Sequence, residues 1–163
     1  MAHPVYKVVV CGNAGSGKTT WLERVIDGKF NSQYIPTLGV NVTPYRIQTN
    51  YGWCTINFWD MAGDSKFGGL REGYMVNPDA CIIALDGSNT SPDCNDYWKW
   101  HDMYRSVNQP TPVIPIQTKC EMSQEPINLT ALAKVSSKNG SYIYQPLVLA
   151  LRQITGHPNL YIK

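Results

Sequence analysis

Short apolar runs alternate with stretches of helical period along this chain, which predicts a largely parallel sheet with helices on both faces. Residues 6–11, 41–48, 55–60, 80–85 and 113–117 read as strands, being rich in Val, Ile, Tyr and Trp and bounded by turn residues. The second and third of these flank Asn50-Tyr51-Gly52 and read as a hairpin, so one strand pair is antiparallel. Helices are predicted over 18–27, 93–107 and 145–155, with a looser helical turn after Gly69.

One region breaks the rhythm. If 129–135 is a sixth strand, only 121–128 remains to connect it, and Pro126 lies inside that stretch. A parallel crossover with its helix takes at least about ten to twelve residues, so no full helix fits. The rival reading is a short helix over 129–134 capped by Asn128, since Leu and Ala favour helix. The strand is the preferred reading.

Gly12-Asn13-Ala14-Gly15-Ser16-Gly17-Lys18-Thr19 follows directly on Val8-Val9-Val10-Cys11 and opens the first helix. Strand before and helix after are the context that a phosphate-binding loop requires. Its glycines let successive N–H groups point inward at a nucleotide's phosphates, and the helix dipole favours the same anion. Lys18 brings a positive charge to the β- and γ-phosphates, and the Thr19 hydroxyl is suited to Mg²⁺. Nucleotide contacts are therefore expected at Asn13, Ala14, Gly15, Ser16, Gly17, Lys18, Thr19 and Thr20.

Two further elements follow in the order that a nucleotide switch needs. The stretch Tyr34-Ile35-Pro36-Thr37-Leu38-Gly39 holds Thr37, expected to reach Mg²⁺ and the γ-phosphate on loop closure, with Tyr34 also on the nucleotide. Asp60-Met61-Ala62-Gly63 ends a strand, with the Asp60 carboxylate near Mg²⁺ and the Gly63 N–H on the γ-phosphate. The expected metal set is thus Thr19, Thr37 and Asp60.

Composition narrows the picture modestly. At 163 residues and 43% hydrophobic content the chain suffices for one domain with a substantial core. A formal charge of +2 without a basic block argues against nucleic acid as a main partner. The cysteines Cys11, Cys54, Cys81, Cys94 and Cys120 lack metal-ligand spacing and mostly sit in apolar runs, which reads as reduced, buried thiols. No signal peptide, membrane span or lipidation cysteine is read, so no membrane association is expected. His3, His101 and His157 are scattered, and Trp98 and Trp100 read as packing residues.

The run Asp60-Met61-Ala62-Gly63-Asp64-Ser65-Lys66-Phe67-Gly68-Gly69-Leu70-Arg71-Glu72-Gly73-Tyr74 is similar, almost residue for residue, to the second switch of the Ran branch of Ras-superfamily small GTPases. Thr37-Leu38-Gly39-Val40 resembles that branch's first switch, and Trp100-His101 and Gly156-His157-Pro158-Asn159-Leu160 also match. The resemblance implies a single G domain over 1–163, with the P-loop NTPase α/β fold and a mostly parallel sheet of about six strands. It implies GTP/GDP with Mg²⁺ as cofactors and a switch in nucleocytoplasmic transport. Importin-type receptors, an exchange factor, an import carrier that would recognise Phe67, and an activating protein are the implied partners. A monomer in nucleus and cytoplasm follows.

The base pocket is carried over by position. The resemblance implies Phe30 against the base edge, the Lys119 stem over one base face, and Ser136-Ser137-Lys138 with the Ser137 N–H on guanine O6. The family's Asn-Lys-x-Asp reads Thr118-Lys119-Cys120-Glu121. Glu121 keeps the carboxylate that disfavours adenine but is one methylene longer, and imperfectly met guanine donors cost about 1–3 kcal/mol.

Catalysis departs further. Where the family orients the attacking water with glutamine, this chain has Asp64, shorter and negatively charged. Ala14 adds a methyl group where Ran has glycine. With Thr37 and Asp64 as the expected catalytic pair, hydrolysis is expected to be slow. The alternative is a Ran mimic that binds nucleotide and transport factors without cycling. The shortened 121–128 segment and the end at Lys163, without an acidic tail, lean the same way.

Overall fold

The computed structural model describes residues 3–28, 40–61, 76–88, 94–108, 110–122, 129 and 132–163. Strand β1 (Val5–Gly12) leads into helix α1 (Lys18–Asp27), and β2 (Val40–Thr49) and β3 (Gly52–Met61) form the hairpin. Then come β4 (Ala80–Asp86), α2 (Asn95–Val107) and β5 (Val113–Thr118). A 3-10 turn (Cys120–Met122), β6 (Ala133–Lys134) and α3 (Gln145–Thr155) complete the described elements. The sheet has six strands in the order β2-β3-β1-β4-β5-β6, all parallel except the β2–β3 pair.

The apolar runs are nearly continuous because the central strands are covered on both faces. Strand alternation divides them. Val8 and Val10 of β1, with Ala80, Ile82 and Ala84 of β4, face Trp21, Leu22 and Val25 of α1 and Leu147 and Leu151 of α3. Val9 and Cys11, with Cys81, Ile83 and Leu85, face Tyr97, Trp100 and Tyr104 of α2. Fully buried Trp21 stands edge-on to Phe58, centroids 6.2 Å apart, and its indole N–H donates to the Ile143 carbonyl at 2.9 Å.

The chain's end is strapped to the hairpin tip. Asn50 donates its N–H to the Tyr161 carbonyl (3.1 Å), accepts the Tyr161 N–H on Oδ1 (2.8 Å), and donates Nδ2–H to the Asn159 carbonyl (3.2 Å). Tyr51 stacks on His157 with ring centroids 4.0 Å apart. Cys11, Cys54, Cys81 and Cys94 are buried and Cys120 is half-buried, and none of the five forms a disulfide. No helix among the described residues is long and apolar enough to cross a membrane.

Two expectations need correction, and one rival reading falls. The sixth strand spans Ala133–Lys134 rather than 129–135; Val135 still donates to the Gln117 carbonyl (2.9 Å) before the chain turns. That turn ends the strand: Gly140 donates to the Ser136 carbonyl (2.7 Å) and Ser136 to that of Ser141 (3.1 Å). The rival helix over 129–134 is excluded, because Ala133 and Lys134 are extended and paired with Ile116 and Gln117. Helix α2 starts at Asn95, not Asp93, with Cys94 left-handed at its N-cap (φ 60°). Asp93 and the turn after Gly69 lie outside the described residues, as do 123–128; the described part of that connection holds the single turn Cys120–Met122.

Candidate functional site

The carboxyl ends of β1, β3, β4 and β5 lie along one sheet edge, and the chain leaves β1 toward β3 on one side and β4 on the other. Ligands in open α/β sheets bind at such a switch point. Gly12 stands there at the end of β1, where a Cβ would come within 2.5 Å of the Ala84 carbonyl oxygen. Only glycine lets the loop leave the sheet at this place. Gly17 (φ 94°) similarly faces the Thr118 side chain, at 3.1 Å from a would-be Cβ.

Inside the loop, Ser16 N–H donates to the Asn13 carbonyl at 3.1 Å, closing a turn. Lys18 is buried with its ammonium donating to the carbonyls of Gly12 (3.1 Å) and Asn13 (3.2 Å). Burial pulls its pKa below the ordinary lysine range, against the nearby Asp60 charge, which pushes it up. A buried cation held by two loop carbonyls is one whose desolvation an anionic ligand at the loop would relieve.

The Thr19 hydroxyl donates to Asp60 Oδ2 at 2.5 Å, joining the first turn of α1 to the end of β3. Burial pushes the Asp60 carboxyl above its usual range, opposed by the Thr19 bond and the Lys18 charge. Its other oxygen, Oδ1, is buried without a hydrogen-bond partner. A buried carboxylate oxygen left over beside a hydroxyl fits a hard divalent cation, and Mg²⁺ takes few protein ligands because it keeps its waters.

A second wall comes from β5. The Thr118 hydroxyl sits between the carbonyls of Ser16 and Leu85, the latter at 3.1 Å. Lys119, in a left-handed conformation (φ 52°), donates its ammonium to the Gly15 carbonyl (3.0 Å) and to Asp86 Oδ2 (2.9 Å). Burial alone would raise the Asp86 pKa, but hydrogen bonds from Ser88 and Lys119 outweigh it and hold the carboxyl below its ordinary value. Cys120 N–H donates to the Val135 carbonyl (3.1 Å), which brings buried Ser136 and Ser137 beside the Thr118–Lys119 turn. Glu121 and Lys138 are exposed at the rim.

Of the residues expected from sequence, the fold therefore gathers Asn13, Ala14, Gly15, Ser16, Gly17, Lys18, Thr19 and Thr20 with Asp60, Thr118, Lys119, Glu121 and Ser136–Lys138 at one edge. Phe30, Tyr34, Thr37, Gly63 and Asp64 lie outside the described residues. Two contributors escape a sequence reading. Asp86 buttresses Lys119; its only signal is a carboxylate at the end of a strand, without the glycine three residues on that marked Asp60. Trp100, read as packing alone, donates its indole N–H to Asn13 Oδ1 at 2.8 Å.

Residues 7–121 of the 163 match the family model described as Roc: Ras of Complex, Roc, domain of DAPkinase. The match runs from β1 through Glu121 and so takes in the phosphate loop, Asp60 and the Thr118–Lys119 turn.

Proposed function

The chain belongs to the Roc family, the Ras-of-complex GTPase-like domains, and from that premise we propose a GTP-binding switch that hydrolyses its nucleotide slowly. The observation that carries the reading is the junction of Lys18, Thr19 and Asp60 at the loop, with an unpartnered Asp60 oxygen beside Thr19. Thr19 and Asp60 would hold Mg²⁺, which supplies charge neutralisation at the β- and γ-phosphates when bound. Lys18 leaves its loop carbonyls for the phosphates. Lys119 lays its stem along the base while its ammonium stays on Gly15 and Asp86.

Guanine is the base the pocket suits, through Glu121 and the Ser137 N–H, with affinity lowered by the longer carboxylate. Thr37 and Gly63 would sense the γ-phosphate, ordering two loops with GTP and releasing them with GDP. Slow hydrolysis rests on Asp64, which lacks the amide that orients water, and on Ala14, which is exposed on the loop. Partner arginines and positioned groups contribute on the order of 10³–10⁵ in rate in such enzymes, and both residues stand in their way.

The run 60–74 supports Ran-type transport factors as partners (importin-type receptors, exchange factor, import carrier and activating protein) and work in nucleus and cytoplasm. A non-cycling mimic of Ran is the second reading, and Ala14 with Asp64 is what favours it.

Identifying the nucleotide that co-purifies and following single-turnover hydrolysis tests the proposal. Guanine nucleotide with slow turnover is expected, and Ala14→Gly with Asp64→Gln should raise the rate at least about tenfold, since a positioned acid–base group contributes about 10²–10⁴. No binding of GDP with Mg²⁺ would sink the reading. Turnover accelerated to family levels by a Ran activating protein would sink the mimic. GTP-dependent capture of an importin-type receptor is the outcome that the transport assignment needs.

A further inference from the structure

Trp100 stands at the middle of α2, fully buried against Cys11, Cys81 and Ile83. A buried indole N–H must find an acceptor, and the neighbouring strand carbonyls are engaged in the sheet. The acceptor here is the Asn13 side chain, at 2.8 Å. The same asparagine's main-chain carbonyl takes the Ser16 N–H (3.1 Å) and the Lys18 ammonium (3.2 Å). One residue thus joins the α2 core to the turn that shapes the phosphate loop and to the lysine that serves it.

The loop's far shoulder is held separately, by Thr118 on the Ser16 carbonyl and Lys119 on that of Gly15. Its near shoulder is not packed solid. A cavity of about 100 Å³ lies beside it, lined by Asn13, Ala14, Ser16, Leu85, Asp86 and Asp96. With open space there, packing alone leaves Asn13 room to shift, and a directional bond is what fixes it.

We propose that Trp100 is a positioning residue for nucleotide binding: its indole N–H holds Asn13, and through Asn13 the turn that places Lys18. This deepens the nucleotide-switch reading and rests on it. It also makes α2 the element through which the core sets the shape of the phosphate loop. Loss of one neutral buried hydrogen bond corresponds to a threefold to tenfold change, on the order of 1 kcal/mol.

The test uses the full chain with GDP and Mg²⁺ as probe. Trp100→Phe keeps a ring in the core and removes the N–H, and should weaken affinity about threefold to tenfold. Asn13→Ala should do the same. The double variant should bind no more weakly than the worse single one, because both remove one interaction. Exposed Trp98→Phe, on the same helix, should bind as wild type. In ¹⁵N-labelled protein, the indole resonance missing from Trp100→Phe should move in Asn13→Ala, and in wild type it should move when Mg²⁺·GDP is added. Losses that simply multiply in the double variant, an indole resonance indifferent to Asn13→Ala, or Trp100→Phe binding as wild type would each overturn the positioning role while nucleotide binding stands. Wild-type protein that takes up no Mg²⁺·GDP would instead overturn the nucleotide reading, and the positioning role with it.

Discussion

Asp86 keeps its charge at the end of β4 because Ser88 bonds it twice, from N–H (2.9 Å) and hydroxyl (2.6 Å), and Lys119 adds an ion pair at 2.9 Å. Its pKa in the fold therefore lies below the ordinary aspartate value. A carboxyl depressed on folding stabilises above the unfolded value, and that stability is lost as pH falls through the folded one. Asp86→Asn should therefore be less stable than wild type near pH 7, by about 1 kcal/mol for a pair this exposed. In urea titrations the gap should hold to about pH 5 and close below about pH 4. Lys18 behaves oppositely. Burial depresses its pKa, so its charge is a cost to the ligand-free fold. Lys18→Met should unfold at an equal or higher temperature yet bind Mg²⁺·GDP about 100-fold more weakly, having lost its charge-assisted contact with the β-phosphate. Lys18 was legible from the loop motif. Asp86 was not, since an aspartate ending a strand carries no mark of the lysine that it will meet.

Among the elements, β1 and β4 were easiest to read, since strands buried on both faces are apolar without interruption. Helices α1 and α3 showed their periodic faces. Trp21 on α1 has the largest payload: Trp21→Ala should lower stability by about 3–5 kcal/mol in thermal or urea unfolding, through lost burial and an orphaned Ile143 carbonyl. Edge element β6 was overread, because apolar residues over 129–135 continue past the two that pair. The strap on the hairpin tip was not visible at all. Asn50→Ala removes two side-chain bonds to it, so amide exchange at Tyr161 and Lys163 should quicken, with a loss of about 1–2 kcal/mol locally.

For the molecule as a whole, a ligand that binds only the folded state stabilises by mass action, about 2.7 kcal/mol at 100 times Kd. For a domain of this size that corresponds to a Tm rise of about 5–10 °C. Mg²⁺·GDP should produce such a shift and Mg²⁺·ADP should not, a comparison that reads base selectivity despite the longer Glu121.

The strands, the helices and the phosphate loop are written in contiguous residues: alternation, helical period and glycine spacing act over a few positions, so the order of amino acids suffices to state them. Partnerships across the chain are another matter. Asp60 reaches Thr19 over 41 positions, Trp100 reaches Asn13 over 87, and Lys119 reaches Gly15 over 104. Those distances collapse only when the strands take the order β2-β3-β1-β4-β5-β6, which sets four carboxyl ends side by side. No local pattern specifies that order; it follows from how the two faces of the sheet are covered. The chain's residues announced a loop for phosphate, and the packing of distant elements decided which side chains hold that loop in shape.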